Sequence, residues 1–146
     1  MSTTYWMIEG IGIDTDKLLP HLNKRKVINV ILKQCPDDEE ALEWKGRRDL
    51  KNFDIDDFLY GNPFENLADL LTHCDDTDTL MFGDDGDGGV YFYYPPSMPW
   101  HRRDNEPRSV EEVHERIVDA VMEITDLSEA EIEAMIDDDI YAVGCG

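Results

Sequence analysis

Residues 79–94 read Thr79-Leu-Met-Phe-Gly-Asp-Asp-Gly-Asp-Gly-Gly-Val-Tyr-Phe-Tyr-Tyr94, and their reading decides the fold class. Two apolar runs, Thr79 to Phe82 and Val90 to Tyr94, flank a stretch from Gly83 to Gly89 made only of Asp and Gly. Aromatic and β-branched side chains suit a pleated strand, and glycine supplies the positive φ of a reversing chain, so the segment predicts a β-hairpin. Pro95, Pro96 and Pro99 follow at once. Proline has no N–H for a sheet ladder, so pairing should stop there and hold Ser97 to Trp100 as a stiff extended loop.

Working outward, Thr4 to Ile13 loosely alternates Trp6, Ile8 and Gly10 against Tyr5, Met7 and Glu9, which predicts a strand. A helix is expected over roughly Lys17 to Gln34, regular from Pro20, with Val27 to Leu32 readable instead as a strand. Asp37 as N-cap and Glu40 three residues on start a second helix, which Gly46 ends. A short helical turn is expected from Ile55 to Tyr60, closed by Gly61. Asn62-Pro63-Phe64-Glu65 then reads as a cap and first turn leading to about Thr72 on Leu67, Leu70 and Leu71. Beyond the hairpin, Ser109-Val-Glu-Glu112 and Ser128-Glu-Ala-Glu131 are two capping boxes. The first opens a helix on Val110, Val113, Ile117, Val121 and Ile124; the second opens a shorter one on Ile132, Met135 and Ile136, before a final strand Ile140 to Val143. The order β-α-α-α-β-β-α-α-β, with helices in runs and strands in a hairpin, predicts a small α+β domain over 1–146, about four strands with helices packed on one face.

The chain of 146 residues is 41% hydrophobic, enough to bury a core despite its charge. It carries 34 acids against 13 Lys and Arg, a net charge of −21. No apolar stretch approaches the roughly 20 residues of a membrane span, and the start has no basic segment, so a soluble, unexported, cytoplasmic protein is expected. Nucleic acid and anionic membranes attract clustered Lys and Arg, so neither is an expected direct ligand. Cys35, Cys74 and Cys145 are odd in number and far apart, which predicts reduced thiols, and acids beside Cys74 should raise its pKa.

The acidity is regional. Residues 1–34 hold five bases and three acids, whereas residues 73–100 hold six acids and no base. Between Lys51 and Arg102 there are eleven acids and no Lys or Arg, a gap that solubility alone does not require. On the helix after Ser109, Glu111, Glu115, Asp119 and Glu123 form one column of acids four apart. Each of its three like-charge contacts costs about 0.2–0.5 kcal/mol. Their spacing, about 6 Å of helical rise, lays down a line of negative charge of the general kind a nucleic-acid backbone presents. The plainer alternative is a solvated acidic face.

Motifs for chemistry are absent. There is no H-E-x-x-H, no phosphate-binding glycine loop with Lys, and no nucleophile elbow; Gly10-Ile-Gly12 lacks the third glycine of a dinucleotide fingerprint. A divalent-cation (calcium) module using Asp75, Asp76, Asp78, Asp84, Asp85 and Asp87 is an alternative, because hard cations need several oxygens around a tight turn. The spacing fails the EF-hand pattern: counted from Asp85, Pro96 falls where a bidentate Glu belongs. A small-ligand protein or unrecognised enzyme with its pocket near Pro95 to Trp100 is a further alternative.

The leading expectation is a non-catalytic binding protein, with no cofactor, that inhibits a basic nucleic-acid-binding partner such as a nuclease or its complex. Carboxylates would sit where phosphates otherwise lie. In composition, phage- and plasmid-encoded antagonists of restriction or CRISPR nucleases are similar. The expected contact residues are Glu111, Glu115, Asp119 and Glu123, the hairpin acids Asp84, Asp85 and Asp87, and Trp100 as an aromatic anchor.

Overall fold

A computed structural model of the chain describes residues 5–60, 64, 66–77, 79–84, 89–95 and 106–145. Four strands, β1 (Tyr5–Asp14), β2 (Met81–Asp84), β3 (Val90–Tyr94) and β4 (Asp137–Cys145), form one antiparallel sheet in the order β2-β3-β1-β4. The helices are α1 (Lys24–Gln34), α2 (Glu39–Lys45), α3 (Ile55–Tyr60), α4 (Leu67–Cys74), α5 (Val110–Met122) and α6 (Glu129–Met135). This is the α+β arrangement expected, and the hairpin pairs with Phe82 opposite Phe92.

Alternation along β3 sets the two faces of the sheet. Val90, Phe92 and Tyr94 point to the main core with Phe82, Ile11 and Ile13, where α4 packs on β2 and β3 and α5 packs on β1. Tyr91 and Tyr93 point the other way, into a smaller cluster with Ile8 and Ile140. Burial there raises the Tyr93 hydroxyl pKa.

β1 lies inside the sheet, pairs on both edges, and is bulged. Residues Ile11 to Asp14 pair with β3, residues Tyr5 to Gly10 pair with β4, and the register shifts between Gly10 and Gly12. Gly10 has φ 145°, and a Cβ there would run into the Tyr94 carbonyl oxygen. Only glycine meets both conditions.

Local boundaries depart from the sequence reading where tertiary groups intervene. The single helix expected from Lys17 to Gln34 is two: a 3-10 helix Thr15–His21 containing Pro20, and α1. Between them Leu22 is extended and bridges Thr125, the Asn23 N–H donates to the Ile124 carbonyl (2.9 Å), and the Asn23 side chain then caps α1 by accepting from Lys26 N (3.0 Å). Val27 to Leu32 is helix, not strand. The α2 cap is Asp38, not Asp37, and the α4 cap is Asn66, accepting from Asp69 N at 2.8 Å, not Asn62. Thr4, Gly61, Asn62, Pro63 and Glu65 lie outside the described residues. β2 begins at Met81 because the backbone N–H groups of Thr79 and Leu80 both donate to Asp75 Oδ2 (3.0 Å each). β4 runs beyond the expected Ile140 to Val143 at both ends, paired along β1.

Candidate functional site

Carboxylates that accept from backbone N–H groups at turns or helix starts include Asp14, Asp38, Asp49, Asp54, Asp75, Glu112, Glu131 and Asp137. Their positions answer to the backbone, since an N-cap oxygen satisfies a donor the helix leaves open. At α6 the capping box is complete: Glu131 N donates to Ser128 Oγ and Ser128 N donates to Glu131 Oε1. These hydrogen bonds hold the Glu131 carboxyl below its usual pKa. At α5 the box is displaced by one residue. Ser109 Oγ accepts from Glu112 N, but Glu112 Oε2 accepts from Arg108 N (2.6 Å), which with Arg116 lowers the Glu112 pKa.

Three of the four bases of α1, Lys24, Arg25 and Lys26, reach backbone carbonyls, whereas Lys33 is exposed. Lys24 Nζ donates to the Leu50 and Lys51 carbonyls, Arg25 to those of Lys45 and Arg47, and Lys26 to those of Met122 (3.2 Å) and Thr125 (2.7 Å). Each cation meets carbonyls at the end of a helix or turn, where partial negative charge collects. Arg116, a further base, bridges Glu112 Oε1 and Thr79 Oγ1 at 2.9 Å each. These four cations are thereby tied to carbonyls and a cap, and the exposed charged residues of α5 are all acids.

On α5, Val113, Ile117, Val118, Ala120 and Val121 are buried, and Glu111, Glu115 and Asp119 are exposed. Those three carboxylates accept no hydrogen bond among the described residues. The fourth member of the expected column does not continue it. Glu123 is the α5 C-cap, half-buried, with its carboxylate against the Cys74 thiol. Burial first, and Glu123 second, push the Cys74 pKa up to about 12. Cys35 and Cys74 are free thiols, and Cys74 is an inert one.

The hairpin acids are only partly in view. Asp84 is exposed at the end of β2, whereas Asp85, Asp87 and Trp100 lie outside the described residues, as does Asp78. Asp75 is fully engaged within its own turn. Its Oδ1 accepts from Thr77 N and Thr77 Oγ1, and its Oδ2 from Thr79 N and Leu80 N. Asp76 is exposed, and among the described residues no three His, Cys, Asp or Glu side chains come together to hold a metal.

Sequence reasoning missed His114. Its Nδ1 lies 2.6 Å from Glu133 Oε2 and its Nε2 2.5 Å from Asp138 Oδ1, with the side chain only 18% exposed. The partners are 19 and 24 residues away, so no local spacing reveals them. Pro96 to Trp100 lie outside the described residues, and two clefts are lined by other segments. One of about 420 Å³ is lined by Leu19, Leu22, Lys24 and residues 51–55; one of about 160 Å³ lies between α2 and α3. Among the described residues no helix is long and apolar enough to cross a membrane.

In comparisons with known proteins, no family model, no curated protein and no solved structure matches this chain.

Proposed function

We propose that the chain is a non-catalytic inhibitor that binds the basic nucleic-acid cleft of a partner protein, such as a nuclease, through the outer face of α5. The observation that carries this reading is the exposed column Glu111, Glu115 and Asp119, which accepts no hydrogen bond among the described residues. Glu111 to Asp119 spans about 12 Å of helix axis, on a rigid element whose opposite face is locked in the core. A helix backbone fixed in this way presents its carboxylates to a partner's Lys and Arg without ordering a loop, so the conformational entropy lost on binding is that of side chains alone. Long-range attraction between a net charge of −21 and a basic cleft gives fast association that weakens steeply with salt. A cytoplasmic location, alongside the host's nucleic-acid enzymes, and a phage or mobile-element origin go with this reading.

The test is inhibition of DNA cleavage by a panel of restriction and RNA-guided nucleases, with the chain added at low and high salt. The reading expects inhibition of at least one enzyme, lost in a triple variant E111Q/E115Q/D119N that remains folded by circular dichroism. No inhibition across the panel, or full inhibition by the triple variant, refutes α5 as the contact face.

A further inference from the structure

His114 stands where three elements meet, and both of its ring nitrogens face carboxylates. Nδ1 meets Glu133 near the end of α6, and Nε2 meets Asp138 at the start of β4. An ionised carboxylate only accepts hydrogen bonds, so both contacts are made together only when both ring nitrogens carry protons, that is, by the imidazolium. Neutral imidazole has one N–H and must give up one of the two. Because Glu133 and Asp138 lie against different ring nitrogens, the three groups do not converge on one point as metal ligands would.

We propose that His114 is a proton-operated clamp: the imidazolium ties α6 and β4 to α5, and loss of its proton loosens that corner. Two features make the corner sensitive to one side chain. α6 has only seven residues with one of them, Ile132, buried, and β4 is an edge strand paired on β1 alone. The segment between Glu133 and Asp138 is thus held to α5 from both ends by one ring.

The surrounding charge favours the protonated form. Among the described residues, the charges acting on the ring are Glu133 from α6 and Asp138 from β4. Glu111 and Glu115 flank it along α5, and Asp137 and Asp139 flank Asp138 on β4. α4 and β1, which also pack on α5, bring no charge to it, and the nearby Arg116 is turned to Glu112 and Thr79. Desolvation by burial works against the charged ring, but the hydrogen bonds to Glu133 and Asp138 outweigh it, and the His114 pKa lies above its ordinary value. A folded-state pKa raised above the unfolded one gives a definite sign. The clamp contributes fully below about pH 6.5, the unfolded value, and its contribution disappears as pH rises through the higher folded value.

The experiment is a titration of the intact chain from pH 5 to 10. The His114 ring nitrogens are followed by NMR, and amide hydrogen exchange over residues 129–140 is expressed as protection factors, which removes the intrinsic base catalysis of exchange. The expected result is two protonated ring nitrogens at pH 5, with the ring losing one proton above the ordinary histidine value. Protection over 129–140 should then fall about tenfold as the ring titrates, the loss of one charge-assisted hydrogen bond, while protection in α1 stays level. H114Q should show the lower protection at every pH. E133Q, which keeps the ring and one carboxylate, should move both the ring titration and the protection step to lower pH, and serves if H114Q does not fold. A ring that titrates at or below the ordinary histidine value, or protection over 129–140 that does not follow the ring titration, overturns the clamp.

Discussion

Replacing Lys26 by Met tests whether the α1 cations hold the fold together from within. Methionine keeps the apolar stem and removes the ammonium that donates to the Met122 and Thr125 carbonyls at 3.2 and 2.7 Å. A hydrogen bond from a charged donor contributes about 1.5–3 kcal/mol in a protected setting. The Lys26 side chain is 42% exposed, so water substitutes for much of it, and the two bonds together should contribute about 1.5 kcal/mol. The Asp126 carboxylate at 3.9 Å adds little at this exposure. For a chain of this size a loss of about 1.5 kcal/mol lowers Tm by about 4–6 °C. The assay is thermal unfolding by circular dichroism, with Lys17→Met as control, since it makes the same change in net charge from an exposed site on the 3-10 helix. At 1 M salt, where the screening length is about 3 Å, any penalty from general self-repulsion should vanish from both variants, leaving the local loss in Lys26→Met alone. Equal Tm values for the two variants at 1 M salt would refute the idea that these cations act as internal ties.

Three further substitutions probe the core and the caps. Ile117→Ala removes a fully buried side chain from the sheet-facing side of α5 and should cost about 2–5 kcal/mol in urea unfolding; a change below 1 kcal/mol would mean that α5 does not seal the main core. Asp75→Ala leaves three backbone N–H groups without their acceptor at the entry to β2, and a loss of about 2–3 kcal/mol is expected from the same measurement. With its pKa pushed up to about 12, Cys74 should resist alkylation by iodoacetamide at pH 8 in the native chain and react once urea unfolds it, read by peptide mass mapping. Rapid native alkylation would contradict its burial against Glu123.

Much of the local structure was legible. The hairpin, α3, the Ser109 and Ser128 caps and the α5 stripe each depend on residues within a turn or two of one another, so spacing alone reveals them. The misreadings share a cause. Asp37 and Asn62 are chemically suitable caps, but Asp38 and Asn66 hold those positions, because several adjacent polar residues compete and the helix that packs best selects among them. Glu123 belongs to the acidic column by spacing. In the fold it sits at the end of α5, where α4 brings the Cys74 thiol against it.

By itself the sequence determined the fold class, the approximate elements and the large surplus of acid, because alternation, proline and capping act over a few residues and charge is a sum. Tertiary structure decided which charges matter. The helix broke at Leu22 because Thr125 lay beside it, Lys26 turned to the end of α5, and His114 found Glu133 and Asp138. The physical reason is that an ionic hydrogen bond depends on distance in space. Residues 23 and 126, 103 apart along the chain, meet at 2.8 Å only after the sheet and helices have packed.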